Sequence, residues 1–153
     1  MFKRGGKKLI ILVIVAVFLL SKIRVNAPSA SPTPTPINKI DNFPASEYPK
    51  EFPREIPIEA GAVIVSNYNA TAPDGRLQAS RVFASAKTVQ ANFDLYKSWL
   101  PKNGWTLSDE DDGLNPDRKS LLAQKGVGVL NISIVKSITG AVSVVDISYV
   151  TLK

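Results

Sequence analysis

The acidic stretch 109–117 holds the residues of this chain that come closest to a ligand-binding pattern. Four carboxylates precede Gly113 and a fifth follows at Asp117, and clustered carboxylate oxygens are ligands that Ca²⁺ prefers. An EF-hand loop does not fit, because placing Gly113 at its sixth position puts Ser108 first and Lys119 last. We therefore interpret Asp109–Asp117 as a solvated acidic loop and predict no metal ligand in it.

The composition excludes most other catalytic chemistry, since the chain contains no His and no Cys. Without His there is no Ser-His-Asp triad and no H-E-x-x-H zinc helix. Without Cys there is no thiol nucleophile, cysteine zinc site or disulfide. Neither G-x-G-x-x-G nor G-x-x-x-x-G-K-[ST], the glycine-rich phosphate-binding patterns, occurs. We predict that the protein is not an enzyme and has no catalytic residue and no cofactor.

Two further candidates come from carboxylates and aromatic rings. A carboxylate-type hydrolase is the enzymatic alternative, and it needs an acid from the 109–117 stretch facing Asp74, Asp94 or Asp146 across a concave site. The candidate ligand contact is Trp105, whose ring could stack on a sugar or a peptide. A core position over the end of the preceding helix is the commoner role for such a residue.

An apolar segment near the N-terminus predicts on which side of the membrane these residues lie. Its uninterrupted core, which we predict to be a membrane anchor, is Leu9, Ile10, Ile11, Leu12, Val13, Ile14, Val15, Ala16, Val17, Phe18, Leu19 and Leu20. If Lys22 and Arg24 reach the headgroups, residues 9–25 fall at the short end of the usual spanning range of about 17–25 residues. The basic residues of segment 1–8 predict a cytoplasmic N-terminus. We therefore predict a single-pass protein of the cell membrane with an extracytoplasmic C-terminal domain.

Two other interpretations of this segment stay open. A cleaved signal peptide also has a basic start and an apolar core, but Pro28 directly follows the small-residue site that ends at Ala27. A pilin-type leader is suggested by Gly5-Gly6, although two lysines follow where the helix should begin apolar. The anchor and the signal peptide both predict that residues after Arg24 lie outside the cytoplasm.

The net charge of the chain belongs to this N-terminal part. The chain has nineteen basic and thirteen acidic side chains, for a formal charge of +6. Six of the basic residues lie before residue 26, so residues 26–153 carry thirteen charges of each sign. A charge-balanced domain gives no reason to expect a nucleic-acid partner.

Proline content divides the rest of the chain into three parts. Residues 26–36 form a Pro/Ser/Thr linker that favours polyproline II, a semi-rigid spacer of about 3.1 Å per residue. Residues 37–57 form a Pro-rich extended segment in which we expect no regular element. Residues 58–153 form the predicted folded domain.

The strands of this domain follow from β-rich runs between turn signals. Segments 58–68 and 77–84 predict a hairpin around Pro73-Asp74-Gly75. Later strands are predicted at 105–107, 120–125, 127–136 and 141–152. In the last two, polar residues alternate with apolar ones and are expected on a solvated face. These polar residues are Asn131, Ser133, Asp146 and Ser148.

One helix is predicted over Ser85–Leu100, with Ser85 as its N-cap. Its apolar stripe is Ala86, Val89, Phe93, Tyr96 and Leu100. The order β-β-α-β-β-β-β predicts an α+β, two-layer domain, an antiparallel sheet with one helix packed on one face, preceded by the N-terminal transmembrane helix.

The domain also resembles small uncharacterised α+β domains of bacterial membrane-anchored or exported proteins. The pattern is an opening with two prolines and Ile56 in Phe52–Ile58, a Gly-Ala-Val strand at Gly61–Val63, F-x-x-Y-K at Phe93–Lys97, and N-G-W ending at Trp105. Pro101 departs from the helical residue usual there. The resemblance implies a fold and no assigned activity, so it transfers no functional residue.

Three functions are compatible with these features. The first is a membrane-anchored extracytoplasmic binding module for an envelope protein or a wall polymer. The second is the carboxylate-type hydrolase, and the third is an accessory subunit that acts through its anchor helix.

Overall fold

The computed structural model of the protein describes residues 39–151. Within that range no helix is long and apolar enough to cross a membrane. The predicted anchor at 9–25 and the linker at 26–36 lie outside the described residues and stay predictions.

Seven strands and one helix make up the described part. They are β1 (Lys39–Asn42), β2 (Val63–Thr71), β3 (Leu77–Ser85), α1 (Val89–Lys102), β4 (Thr106–Asp111), β5 (Arg118–Lys125), β6 (Gly128–Lys136) and β7 (Ser143–Thr151). The strands form one sheet in the order β1-β2-β3-β7-β6-β5-β4, and every neighbouring pair is antiparallel. The predicted class, α+β with one helix and an antiparallel sheet, is confirmed.

Three elements differ from the prediction, and one of them is β4, which continues to Asp111 instead of ending at 107. Strand β1 lies in the segment where no regular element was expected, because residues 37–43 contain no proline and can pair with β2 before Pro44. The helix begins at Val89 instead of Ser85, since the Thr88 side chain accepts a hydrogen bond from the Ala91 N–H and caps it. Ser85 stays in β3, paired with Ser143.

The core lies on the sheet face that α1 covers, called here the helix face. Val89, Phe93, Tyr96 and Leu100 of α1 are buried, which confirms these members of the predicted stripe. The prediction is wrong for Ala86, which is exposed and precedes the helix. The buried stripe residues pack against apolar side chains of the central strands, namely Phe83, Leu121, Leu130, Ile132, Ile134, Val145 and Ile147. Burial of this apolar surface is the main stabilising contribution of the fold.

The Pro-rich segment 43–62 covers the rest of the helix face, and polar side chains hold it there. The Asn67 amide donates to the carbonyls of Pro44 (2.7 Å) and Glu47 (2.8 Å). The Arg81 guanidinium donates to the carbonyls of Ala45 and Glu47 and lies 4.4 Å from the centre of the Tyr48 ring. We call Asn67 and Arg81 with these carbonyls the polar clamp. It satisfies backbone oxygens that a proline-rich segment cannot pair within a strand.

Candidate functional site

The sheet face opposite α1, called here the open face, carries two neighbouring rows of mostly polar side chains. Paired residues of antiparallel strands project to the same face, so the registers define these rows. The first row contains Ser66, Asp146, Ser133, Ser120 and Asp111, and the second contains Tyr68, Ser80, Ser148, Asn131 and Asp109. We call these ten residues the polar belt.

A hydrogen-bonded chain runs through the centre of the polar belt. The Ser80 and Ser148 hydroxyl oxygens lie 2.8 Å apart, and the Gln78 amide donates to Ser80 (2.9 Å). The Ser148 hydroxyl donates to the Asp146 carboxylate (3.1 Å). Both serines are buried, and Asp146 is 9% exposed. The prediction of a solvated face for Asp146, Ser148 and Asn131 is therefore wrong: alternation identified their common face, but not its burial.

Burial changes the acid–base properties of this cluster. It raises the pKa of Asp146 to about 6, and the Ser148 hydrogen bond opposes the rise. Burial, and next the negative charge of Asp146, raise the pKa of Tyr68 to about 12, while its hydrogen bond to Ser80 acts in the other direction. Asp146 thus changes protonation close to neutral pH, whereas Tyr68 stays a neutral hydroxyl there.

The acids named for a hydrolase are not brought together as a pair. Asp111 and Asp146 share a row of the open face but belong to β4 and β7, three strand spacings or roughly 14 Å apart. Glycosidase carboxyl pairs lie about 5–9.5 Å apart. Asp74 pairs with Arg76 in the β2–β3 turn (2.7 Å), and Asp94 is exposed on α1. The arrangement does not favour the hydrolase alternative.

The acidic stretch is divided by strand β4. Asp109 and Asp111 lie on the open face, and Glu110 faces the other way and pairs with Lys97 (2.9 Å). The interpretation of 109–111 as a loop is wrong, because these residues pair with β5. The loop itself begins at Asp112, which pairs with Lys119. Among the described residues no group of three acids is arranged to hold a metal ion.

Trp105 is buried, with 4% of its surface exposed. Its ring meets Tyr149 edge-on with centroids 6.2 Å apart, and the Lys125 ammonium lies 5.7 Å from its centre. The ring is therefore part of the core over the end of α1, and contact with a ligand stays a prediction.

Large apolar side chains are exposed at one end of the sheet. Leu114 on the β4–β5 connection and Ile138 on the β6–β7 connection are fully or almost fully exposed, and Val142 is 46% exposed. The connections are neighbours, since the Lys136 N–H donates to the Asp117 carbonyl (2.8 Å). We call Leu114, Ile138 and Val142 the loop end. The sequence does not single it out, because one exposed aliphatic residue in a loop is ordinary.

No family model, no curated protein and no solved structure matches this chain. The motif residues of the resemblance noted above occupy packing positions: Phe52, Ile56, Phe93, Tyr96 and Trp105 all belong to the core.

Proposed function

We propose that the chain is a membrane-anchored extracytoplasmic interaction module whose folded domain binds another envelope protein. The anchor at 9–25 and the linker at 26–36 supply the location. The observation that carries the proposal is the exposure of Leu114, Ile138 and Val142 on the two neighbouring connections of the loop end. Exposed large apolar side chains at one end of a domain are typical of interaction surfaces.

The loop end is well placed to meet a partner. Lys39, the first described residue, pairs with Thr71 at the opposite end of the sheet. Strands β3, β6 and β7 each have nine residues, or roughly 27 Å between the two ends. The described domain therefore begins at the end of the sheet opposite the apolar connections.

The chemistry of the loop end favours a protein partner over a wall polymer. Its three large side chains are aliphatic, and aliphatic surfaces associate by losing contact with water. Sugar recognition relies instead on aromatic stacking combined with polar groups. Wall polymer is therefore the alternative ligand.

Site-directed photo-cross-linking tests the proposal, because a chain without cysteine accepts a single reactive thiol anywhere. Leu114→Cys and Ile138→Cys, each labelled with a photo-reactive maleimide in native membranes, should give the same protein adduct, identified by mass spectrometry. The matched control is Val127→Cys, which is 62% exposed at the opposite end and should give none. Equal adducts from all three sites, or none from the loop end, would contradict the proposal.

One segment replacement distinguishes the proposed interaction module from the alternative, an accessory subunit that acts through its anchor helix. Replacing residues 9–25 with an unrelated spanning helix should leave the loop-end adduct intact. Loss of the adduct would assign the interaction to the anchor instead.

A further inference from the structure

Strand β2 is paired along only part of one side. Strand β3 pairs with it from Val63 to Thr71, whereas β1 pairs only with Tyr68–Thr71, and the Phe43 N–H donates to the Asn67 carbonyl (2.9 Å). No described strand pairs with the outer side of residues 63–66. We call Val63–Ser66 the open edge.

The chain itself prevents β1 from continuing along the open edge. Pro44 has no N–H to donate, and the Glu47 N–H closes a turn on its carbonyl (3.0 Å). The polar clamp then holds residues 44–47 over the helix face, through Asn67 and Arg81. The segment that would complete the edge is thus directed elsewhere by strong contacts.

The side chains of the open edge carry neither a charge nor a proline. Natural edge strands carry charges, prolines or bulges that prevent pairing with another chain. Strand β4, at the other edge, has three consecutive acids at 109–111. The open edge reads Val-Ile-Val-Ser without a charge, and Val63 and Val65 are 69% and 52% exposed. A bulge at Val65 is its one irregularity, and it limits a pairing strand to a short stretch.

We infer that the open edge binds a short extended segment of the partner protein as an added antiparallel strand, in line with β1. The inference rests on the proposed function and names a surface and a class of ligand for it. Backbone hydrogen bonds would supply the affinity, and alternate apolar β-branched side chains would match the uncharged edge.

The available area argues for a segment rather than a second copy of this chain. Four residues with two exposed valines offer far less surface than the roughly 1,200–2,000 Å² that a stable protein–protein interface buries. A short strand can pair within that space, because its backbone forms most of the contact. The two blocked ends of the edge, β1 on one side and the Gly61 turn on the other, also restrict pairing to about four residues.

A peptide-binding experiment on the full chain in lipid nanodiscs tests this inference. The probe is a fluorescent, capped peptide of alternating Val and Thr with terminal lysines for solubility, and its control has a central Pro. Anisotropy should report saturable binding of the first peptide only. Val65→Lys and, separately, Val63→Lys should weaken binding at least about tenfold. Ser108→Lys, an exposed position on the β4 edge, should leave it unchanged.

Each other outcome overturns the inference. These outcomes are no binding, binding of the Pro peptide, equal loss in Ser108→Lys, or no loss in the folded Val63 and Val65 variants. A concentration-dependent dimer in sedimentation that Val65→Lys abolishes would assign the edge to a second copy. Loop-end cross-linking does not use this edge. If the Leu114 and Ile138 adducts form but the peptide does not bind, the assignment of the open edge as a binding site is wrong and the proposed function is not affected.

Discussion

Buried polar groups contribute to stability with opposite sign on the two faces of the sheet. On the helix face, Arg81 and Asn67 are buried and donate to carbonyls of the segment that covers them. On the open face, Asp146 is buried with a hydroxyl as its partner, and its pKa is raised. Polar groups on the first face therefore stabilise the fold, while Asp146 opposes it at neutral pH.

The largest effect is expected in the apolar part of the helix face. Ile132, on a central strand, is fully buried, so Ile132→Ala removes packing and leaves a cavity. We expect a loss of about 4 kcal/mol in the free energy of unfolding, within the usual range for such changes. Urea unfolding of the full chain, followed by tryptophan fluorescence, measures it. Val127→Ala, at an exposed site, should change stability by less than about 0.5 kcal/mol.

The second prediction tests how much the polar clamp contributes to the free energy of unfolding, compared with the apolar packing of the core. Arg81→Met keeps most of the side-chain volume but removes the Arg81 donor from the Ala45 carbonyl and from the Asn67 side-chain oxygen, while the Glu47 carbonyl keeps the Asn67 amide. We expect a loss of about 3 kcal/mol, since a hydrogen bond from a charged donor contributes about 1.5–3 kcal/mol. Proteolysis near residues 44–50 should accelerate as well, because the loss is local. The exposed Arg76→Met should have little effect. Equal effects of the two arginine variants would refute the clamp.

The third prediction concerns Asp146 on the open face, where a substitution should raise the free energy of unfolding instead of lowering it. This opposite sign distinguishes the open face from the helix face. Because the pKa of Asp146 is about 6 when folded and near 4 when unfolded, the folded chain holds the extra proton between these values. Stability therefore falls as the pH rises through this window, and the full destabilisation is present above it. Asp146→Asn should stabilise the chain by about 2 kcal/mol at pH 7.5 and by almost nothing at pH 4. A constant difference across this pH range would show that the carboxylate is not responsible.

The same contrast explains what the sequence could predict. The helix face was predictable, because Phe93, Tyr96 and Leu100 repeat with helical spacing and Gly104 follows the helix. Pro101 was expected to end the helix but lies within its last turn. The polar clamp was not predictable, since its contacts join Arg81 to carbonyls 34 and 36 residues away. Nor was the strand order, because β3 pairs with β7 across most of the domain.

The candidate surfaces were predictable only in part. Alternation in β6 and β7 correctly grouped Asn131, Asp146 and Ser148 on one face, but gave no measure of their burial. The acidic stretch looked like a cluster because its residues are adjacent in the sequence. Successive side chains of a strand point to opposite faces, however, so Glu110 of β4 lies on the other face from Asp109 and Asp111. The open edge depends on where β1 stops, and no local pattern at 63–66 reports that.

The smallest effect concerns the hydrogen bond that joins the two coverings of the helix face. The Tyr96 hydroxyl of α1 donates to the Pro57 carbonyl (2.8 Å), and burial raises the pKa of this tyrosine above its ordinary value. Tyr96→Phe keeps the ring and removes one donor, so we expect a loss of about 1 kcal/mol. If α1 and the Pro-rich segment are coupled through this bond, Tyr96→Phe and Arg81→Met should lose less together than the sum of their separate losses. A double-mutant cycle by urea unfolding measures the difference. Strict additivity would mean that the helix and the clamp hold the helix face independently.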